Sequence, residues 1–251
     1  MKSEGKVSWR QRCFKHLPEF ILLQRPVLWL IRQMLGRPWS IAILGGTFDP
    51  FQRAHLAVAR RVANQANLDL DMLLVVVSGD PVLKAGVTPA EIRYEMAQVS
   101  VKRENKVRAS RLEMHNGKSY TVVTLRRLKK LFGADAQLNF IIGSDKIEEL
   151  PSWDYAAEII RLCRLLVIPR NAGNNPDQYV TRLIEKAMPG ATFAIIAGEP
   201  LPNSSTEVRR LRGLGQPIDH LVPEGIPEII EREGLYLKGD MQQVVLQPTR
   251  L

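Results

Sequence analysis

A glycine-rich segment at residues 45–55 (GGTFDPFQRAH) carries the first side chains whose types and spacing suit phosphate chemistry. Gly45 and Gly46 permit a sharp backbone turn and the close approach of a ligand. The Asp-Pro pair marks a turn before a helix, and the N–H groups at a helix N terminus favour an anion. Gln52 and His55 are three residues apart, so one helical face can present both donors to phosphate oxygens. The segment predicts a phosphate-binding turn, and a plain strand-to-helix turn is the alternative.

A second segment suited to anions, residues 204–209 (SSTEVR), stands far along the chain. Its first serine precedes a glutamate by three residues, a capping-box spacing that predicts the start of a helix. The hydroxyls of Ser205 and Thr206, the N–H groups of the first turn and the guanidinium of Arg209 together suit a phosphate. Taken alone, the segment also fits a helix cap with an exposed arginine.

The elements that must position these segments alternate between strand and helix over residues 40–237. Continuous apolar runs predict buried parallel strands at residues 41–44, 72–77, 138–142, 165–168 and 193–196. Helical patterns cover residues 54–65, 89–101, 121–132, 153–161, 176–187, 205–211 and 226–232. The alternation predicts a single doubly wound, Rossmann-like α/β domain, with ligands at the carboxyl ends of the strands. Residues 1–39 are predicted to form a basic N-terminal extension and residues 238–251 a tail.

The two phosphate-suited segments together resemble motifs of the HxGH nucleotidyltransferases. The similarity is strongest to the bacterial nicotinate-nucleotide adenylyltransferase family, whose opening motif is GGTFDPxHxGH and whose late motif is SSTxxR. Further motifs of that family follow in order along residues 40–237. They are RxxM at Arg93, Tyr94 and Met96, SYTxxTL at residues 119–125, IxGxD at residues 142–145, a tryptophan at Trp153, VxxR at residues 167–170 and GLY at residues 234–236.

The resemblance implies ATP-dependent adenylyl transfer, in which a phosphate of the acceptor attacks the α-phosphorus of ATP and pyrophosphate leaves. Because two polyanions must meet, the reaction needs positioning and charge neutralisation by several donors and Mg²⁺. ATP and a small phosphorylated substrate are the expected partners, with nicotinate mononucleotide favoured over nicotinamide mononucleotide. The alternatives are another phosphorylated acceptor and a nucleotide-binding relative with weakened catalysis.

The resemblance implies which residues bind ATP and which take part in catalysis. His55 would hold the ATP phosphates and stabilise developing charge, while Arg209 would hold the β- and γ-phosphates. Asp145 would accept hydrogen bonds from the ribose or base, and its alternative role is to cap the helix after its strand. The other ATP-binding residues implied by the resemblance are Gly45, Gly46, Phe48, Gln52, Gly143, Arg170, Ser205 and Thr206.

The resemblance also implies a site for the acceptor substrate, formed by residues from other segments of the chain. Lys84 would contact phosphate and take part in catalysis, and Arg93 would also bind the substrate. Tyr120, Thr121 and Trp153 would form the pyridine pocket, where the indole offers a flat face for stacking. A core position for the tryptophan and a helix start for the other two residues are the structural alternatives.

Three positions depart from the family pattern. Gln52 replaces the first histidine of HxGH, and an amide donates hydrogen bonds but carries no charge. Ala54 replaces the motif glycine, and residues 82–84 (VLK) replace PHK. Retention of His55, Lys84 and Asp145, together with the whole late motif, favours an active enzyme. We expect Gln52→His to raise turnover of a pyridine mononucleotide.

The chain of 251 residues has a net charge of +9, of which +6 lies in residues 1–37. The rest shows no basic stripe with interleaved aromatic residues, so no nucleic-acid partner is expected. The leader's apolar stretch is interrupted and too short to span a membrane. It could lie on a membrane surface, pack on the body or precede a true start at Met34, and the last two are favoured. Cys13 and Cys163 suit neither a disulfide framework nor a metal site, so the cytoplasm is the expected location.

Overall fold

The structure is a computed structural model, which describes residues 34, 36–81, 86–114, 118–170, 175–198 and 204–237. The predictions for residues 1–33, for residues 82–84 and for the tail after residue 237 lie outside these ranges. Within the ranges, no helix is long and apolar enough to cross a membrane.

Six parallel strands form the central sheet. They are β1 Ser40–Gly46, β2 Met72–Val77, β4 Val107–Ser110, β6 Gln137–Gly143, β7 Arg164–Ile168 and β8 Phe193–Ile195. Their order across the sheet is β4-β2-β1-β6-β7-β8, and two short strands, β3 Asp80–Pro81 and β5 Lys118–Ser119, pair separately. Every residue of β2 (MLLVVV) is buried, because the sheet is covered on both faces.

Seven α-helices accompany the strands in the described part of the chain. They are α1 Arg53–Ala63, α2 Ala90–Val101, α3 Thr121–Phe132, α4 Ala156–Leu162, α5 Pro176–Ala187, α6 Ser205–Gly213 and α7 Ile226–Arg232. Alternate residues of β1 face two different cores, since Ala42 and Leu44 belong to one apolar cluster and Ile41 and Ile43 to the other. This arrangement confirms the predicted doubly wound α/β fold.

A crevice opens between the carboxyl ends of β1 and β6. Strand β1 pairs with β2 as far as Gly46 opposite Val77, but its pairing with β6 ends at Ile43 opposite Phe140. The two strands therefore separate before they reach Gly46 and Gly143. Successive strands proceed in opposite directions from this point, and doubly wound sheets bind ligands at such a switch point.

Besides the short strands β3 and β5, which the sequence does not predict, two local features differ from the sequence-based expectations. The edge strand β4 is not predicted, because its sequence VRAS has too few apolar residues to stand out, although three of its four residues are buried. The helix predicted from residue 153 begins only at Ala156, after a short 3₁₀ turn at Leu150–Ser152. Trp153 therefore lies between the two elements and not within a helix.

Candidate active site

The loop between β1 and α1 is shaped around the ring of Phe48. This residue has a φ of 52°, in the left-handed region that side-chain-bearing residues rarely adopt. A Cβ atom at Gly46 would lie 2.9 Å from the Phe48 ring, so the loop requires glycine there. The rings of Phe48 and Phe51 have centroids 4.9 and 5.2 Å from that of His55. The loop thus holds the imidazole against two aromatic rings at the start of α1.

The hydrogen bonding of His55 determines which ring nitrogen carries its proton. The backbone N–H of Gln52, the N-cap residue of α1, donates to His55 Nδ1 at 3.2 Å. Because Nδ1 accepts this bond, the proton of the neutral imidazole lies on Nε2. His55 therefore has a donor suited to a phosphate oxygen.

Helix α6 begins beside the same loop. Ser204 caps the helix by accepting a hydrogen bond from the backbone N–H of Glu207 at 3.2 Å, as its spacing predicts. The next side chain, Ser205, donates from Oγ to the carbonyl oxygen of Pro50 at 3.1 Å. It also accepts a hydrogen bond from Gln52 Nε2 at 3.1 Å. The N termini of α1 and α6, which carry partial positive charge, therefore meet at one loop.

Arg209, one turn into α6, reaches back to this loop. Its Nη1 donates to the carbonyl oxygen of Asp49 at 2.6 Å, and its Nη2 to Thr206 Oγ1 at 3.3 Å. The neighbouring Arg210 points elsewhere and forms an exposed ion pair with Glu207 at 2.8 Å. The fold thus brings the two motifs predicted from distant parts of the chain into one site.

Asp49 connects the loop to the C-terminal part of the described chain. Its buried carboxylate accepts a hydrogen bond from the Tyr236 hydroxyl at 2.5 Å and from the Thr88 backbone N–H at 3.2 Å. Burial, reinforced by the charge of Asp49, raises the pKa of the Tyr236 phenol, so the hydroxyl keeps the proton that it donates. The sequence indicates only a turn at Asp49 and the GLY motif at Tyr236, and it carries no signal for Thr88.

The position of Arg93 contradicts the prediction that this residue binds the substrate. Its side chain is 0% exposed, which leaves no surface with which to contact a substrate. The carbonyl oxygens that accept its hydrogen bonds, at 2.6 to 3.0 Å, belong to Thr47, Ser78, Gly79 and Thr88. Burial lowers the pKa of Arg93, and the nearby charge of Asp49 opposes that shift. The residue therefore braces the turns that follow β1 and β2.

The turns after β6 and β7 form the other side of the crevice. Ser144 Oγ donates to the carbonyl oxygen of Arg170 at 3.0 Å and accepts from its backbone N–H at 2.8 Å. The Arg170 guanidinium lies 3.5 Å from the Asp145 carboxylate, and both side chains are partly exposed. A Cβ atom at Gly143 would collide with that carboxylate. The three residues predicted here on the ATP side therefore lie together.

The residues predicted for the pyridine pocket lie on the second apolar cluster of the fold. Trp153 packs edge-on against Phe140 of β6, with ring centroids 6.3 Å apart. Tyr120 is the N-cap residue of α3 and Thr121 is its first residue, and both are partly exposed. Tyr120 and Trp153 pack against the same cluster, whereas Phe48 belongs to the other one. The pocket assignment stays a prediction, as does that of Lys84, which lies outside the described residues.

Residues 43–211 match the family model described as Cytidylyltransferase-like. A nicotinate-nucleotide adenylyltransferase of Dehalococcoides mccartyi (strain ATCC BAA-2266 / KCTC 15142 / 195) is 37% identical over 199 residues, which cover 77% of this chain and 95% of that protein. The chain belongs to the nicotinate-nucleotide adenylyltransferase family. Another relative of the same name, from Salinispora arenicola, is 33% identical over 198 residues, 78% of this chain and 100% of that protein.

Solved structures of other proteins share the fold of this member of the adenylyltransferase family. The Plasmodium falciparum nicotinic acid mononucleotide adenylyltransferase complexed with NaAD superposes with a TM-score of 0.65 at 22% identity, covering 79% of this chain and 97% of that one. The same protein complexed with APC gives a TM-score of 0.61 at 20% identity, covering 78% and 96%. Family and fold together confirm the predicted nucleotidyltransferase class and its Rossmann-like architecture.

Within the described residues, the adenylyltransferase has no group of three or more His, Cys, Asp or Glu side chains arranged to hold a metal ion. Asp49, the acidic residue of the β1–α1 loop, already accepts hydrogen bonds on both carboxylate oxygens. The arrangement instead offers hydrogen-bond donors and cations, which suit phosphate oxygens directly.

Proposed function

We propose that this chain transfers the adenylyl group of ATP to nicotinate mononucleotide, giving nicotinate adenine dinucleotide and pyrophosphate in NAD biosynthesis. One observation carries the proposal: in a member of this family, the GGTFDP loop and the late SSTEVR helix meet through the hydrogen bond of Arg209 to Asp49. His55 lies in the first turn of α1, directly after this loop, and the backbone N–H of Gln52 determines which of its nitrogens carries the proton. The site therefore combines a cation, a neutral donor and two helix N termini.

These groups suit an in-line displacement between two phosphates. An oxygen of the acceptor phosphate forms a bond to the α-phosphorus, and the bond from that phosphorus to the oxygen bridging to the β-phosphorus breaks. Pyrophosphate leaves with the bonding electrons. Arg209 and the first turn of α6 neutralise the departing phosphates, while His55 Nε2–H donates to an oxygen whose negative charge grows. The protein's contribution is positioning and charge neutralisation.

Adenosine would occupy the crevice between β1 and β6, with Asp145 and Arg170 at one edge. The pyridine ring would lie on the side of Trp153, and Lys84 would approach the acceptor phosphate. The Plasmodium falciparum relative, whose structures were solved with NaAD and with APC, supports a site for such nucleotides in this fold. Residues 40–237 would be the catalytic domain, acting in the cytoplasm.

Mg²⁺ is proposed as part of the ATP substrate. The described residues do not offer it a cluster of carboxylates, and Mg²⁺ commonly binds through substrate phosphates while keeping several waters. The ion would reduce the repulsion between the two phosphate groups when bound.

A pyrophosphate-release assay with ATP, Mg²⁺ and a panel of acceptors tests the proposal. The panel contains nicotinate mononucleotide, nicotinamide mononucleotide, a phosphopantetheine and a sugar phosphate. We expect the highest kcat/KM with nicotinate mononucleotide and a dinucleotide product detectable by mass spectrometry. A preference for a non-pyridine acceptor would contradict the proposed substrate. Binding of an ATP analogue without release of pyrophosphate from any acceptor would contradict the proposed activity.

A further inference from the structure

Gln52 occupies the position where the family motif carries its first histidine, and the structure gives its amide an internal partner. The side chain is only 4% exposed. Its Nε2 donates to Ser205 Oγ at 3.1 Å, across a separation of 153 positions in the chain. The same residue caps α1 and supplies the backbone N–H that His55 Nδ1 accepts.

The Ser205 hydroxyl accepts a hydrogen bond from Gln52 and donates another to the backbone. A hydroxyl has a single proton, and Ser205 donates that proton to the carbonyl oxygen of Pro50 at 3.1 Å. Its oxygen is then the acceptor for Gln52. The serine side chain therefore has no remaining proton for a phosphate, and the two bonds link the first residue of α6 to the loop before α1.

We infer that Gln52 is a positioning residue, which acts on the ATP phosphates through Ser205 by fixing the N terminus of α6 against that of α1. The inference rests on the proposed function. Phosphate contacts in this arrangement come from Arg209, from the backbone N–H groups of Ser205 and Thr206 at the start of α6, and from His55. The N–H group of Glu207 in the same turn is already held by Ser204. Gln52 thus orients the start of α6 through its hydrogen bond to Ser205, whereas a histidine at the same position could carry a positive charge.

A double-mutant cycle on ATP affinity tests this role. Gln52→Met keeps a side chain of similar length without the donor, and Ser205→Ala removes the hydroxyl. We expect Gln52→Met to raise the KM for ATP about 5-fold, with kcat within about 2-fold, because a neutral hydrogen bond that positions the bound phosphates is lost. Ser205→Ala should raise the KM at least as much, since it also removes the bond to Pro50. The double variant should be no worse than Ser205→Ala, because that change already breaks the link to Gln52. Ser205→Thr, which restores a hydroxyl, should return the KM to within about 2-fold of the wild-type value.

Gln178→Met, the same substitution at an exposed glutamine of α5, is the matched control and should leave both constants unchanged. An additive double variant, with a KM raised about 25-fold or more, would show that Gln52 and Ser205 act separately and would overturn the inference. An unchanged KM in Gln52→Met would do the same.

The cycle is repeated with the Kd of a non-hydrolysable ATP analogue, measured by calorimetry, so that the readout does not depend on turnover. A wild-type chain that binds the analogue but releases no pyrophosphate refutes the proposed activity, while a non-additive cycle in Kd still supports the positioning role. A wild-type chain that does not bind the analogue overturns both.

Discussion

Single hydrogen bonds distinguish the residues of this site that can act on phosphate from those that are already committed. His55 uses Nδ1 as an acceptor and keeps its proton on the opposite nitrogen. Arg209 donates one hydrogen bond to the Asp49 carbonyl oxygen and another to the Thr206 hydroxyl. A guanidinium has five N–H donors in all. Arg209 therefore has N–H donors beyond the two that these bonds use.

His55→Ala and Arg209→Ala should each lower kcat/KM in pyrophosphate release by about 100-fold or more, because each removes a placed donor from developing negative charge. Melting temperatures followed by circular dichroism should stay close to that of the wild type. Arg210→Ala is the control, since that arginine is paired with Glu207 on the exposed side of the same helix. Wild-type rates in His55→Ala or Arg209→Ala would refute the site assignment.

The contacts of Gln52 also change the expectation for Gln52→His. The sequence alone favours a gain in turnover, because the histidine of the motif can carry charge. In the structure the side chain is buried against Ser205, where a charged imidazole would lose solvation. We now expect no gain in kcat for Gln52→His at pH 7.5, and a measured increase would restore the original prediction.

Cys163 illustrates how burial alone removes reactivity from a residue. Its thiol is buried, and burial raises its pKa to about 12. Because the thiolate is the reactive form, a Cys13→Ser variant should resist a maleimide at pH 7.5 in the native state and react quickly in urea. Rapid native labelling at Cys163, mapped by peptide mass spectrometry, would contradict the buried placement.

At the scale of elements, the turns after neighbouring parallel strands depend on one another. Arg93 extends from α2 and donates to carbonyl groups of both the β1 and the β2 turn. The backbone of Thr88 accepts from Arg93 and donates to Asp49. The segment at Thr88 is thereby anchored to the loop that precedes His55.

Arg93→Met should lower the free energy of unfolding by about 3 kcal/mol or more, because several buried carbonyl groups lose their donor and Asp49 loses a nearby cation. Urea denaturation followed by tryptophan fluorescence measures the change. Arg103→Met is the control, because Arg103 is 74% exposed in an ion pair with Glu224, and it should change stability by less than about 0.5 kcal/mol. A loss of similar size in both variants would argue against the bracing role.

At the scale of the whole molecule, the end of the described chain closes onto its first loop. Tyr236 follows α7 and donates to Asp49, which lies after β1. Since burial raises the pKa of this phenol above its ordinary value of 10.0, the folded state keeps a proton that the unfolded state loses above that pH. The free energy of unfolding should therefore decrease as the pH rises above 10.

Tyr236→Phe should make the fall of the free energy of unfolding with pH less steep above pH 10. The expected reduction is about 1.4 kcal/mol per pH unit, the value for one proton. The measurement is urea denaturation between pH 9 and 11.5. Tyr179→Phe, at an exposed tyrosine of α5, provides the comparison and should leave the slope unchanged. An equal slope in wild type and Tyr236→Phe would show that the phenol titrates alike in both states.

The amino-acid order is enough to predict the family, the alternation of strands and helices, and the positions of the two phosphate motifs. These features depend on local order: apolar runs predict the buried strands, and the spacing of Ser204 and Glu207 predicts the start of α6. Local order also explains the missed strand β4, whose four residues contain too little apolar sequence to be recognised without β2 beside them.

Which polar groups are hydrogen-bonded within the protein itself depends on how distant segments pack together. Arg93 looks like a substrate-binding cation in the sequence, but packing buries it among backbone carbonyl groups. Gln52 and Ser205 look like two phosphate donors, but the meeting of α1 and α6 directs them to each other. A hydrogen-bond donor is satisfied by whatever the folded chain places within about 3 Å of it, and for residues far apart in sequence that neighbour is set by the packing of the helices on the sheet.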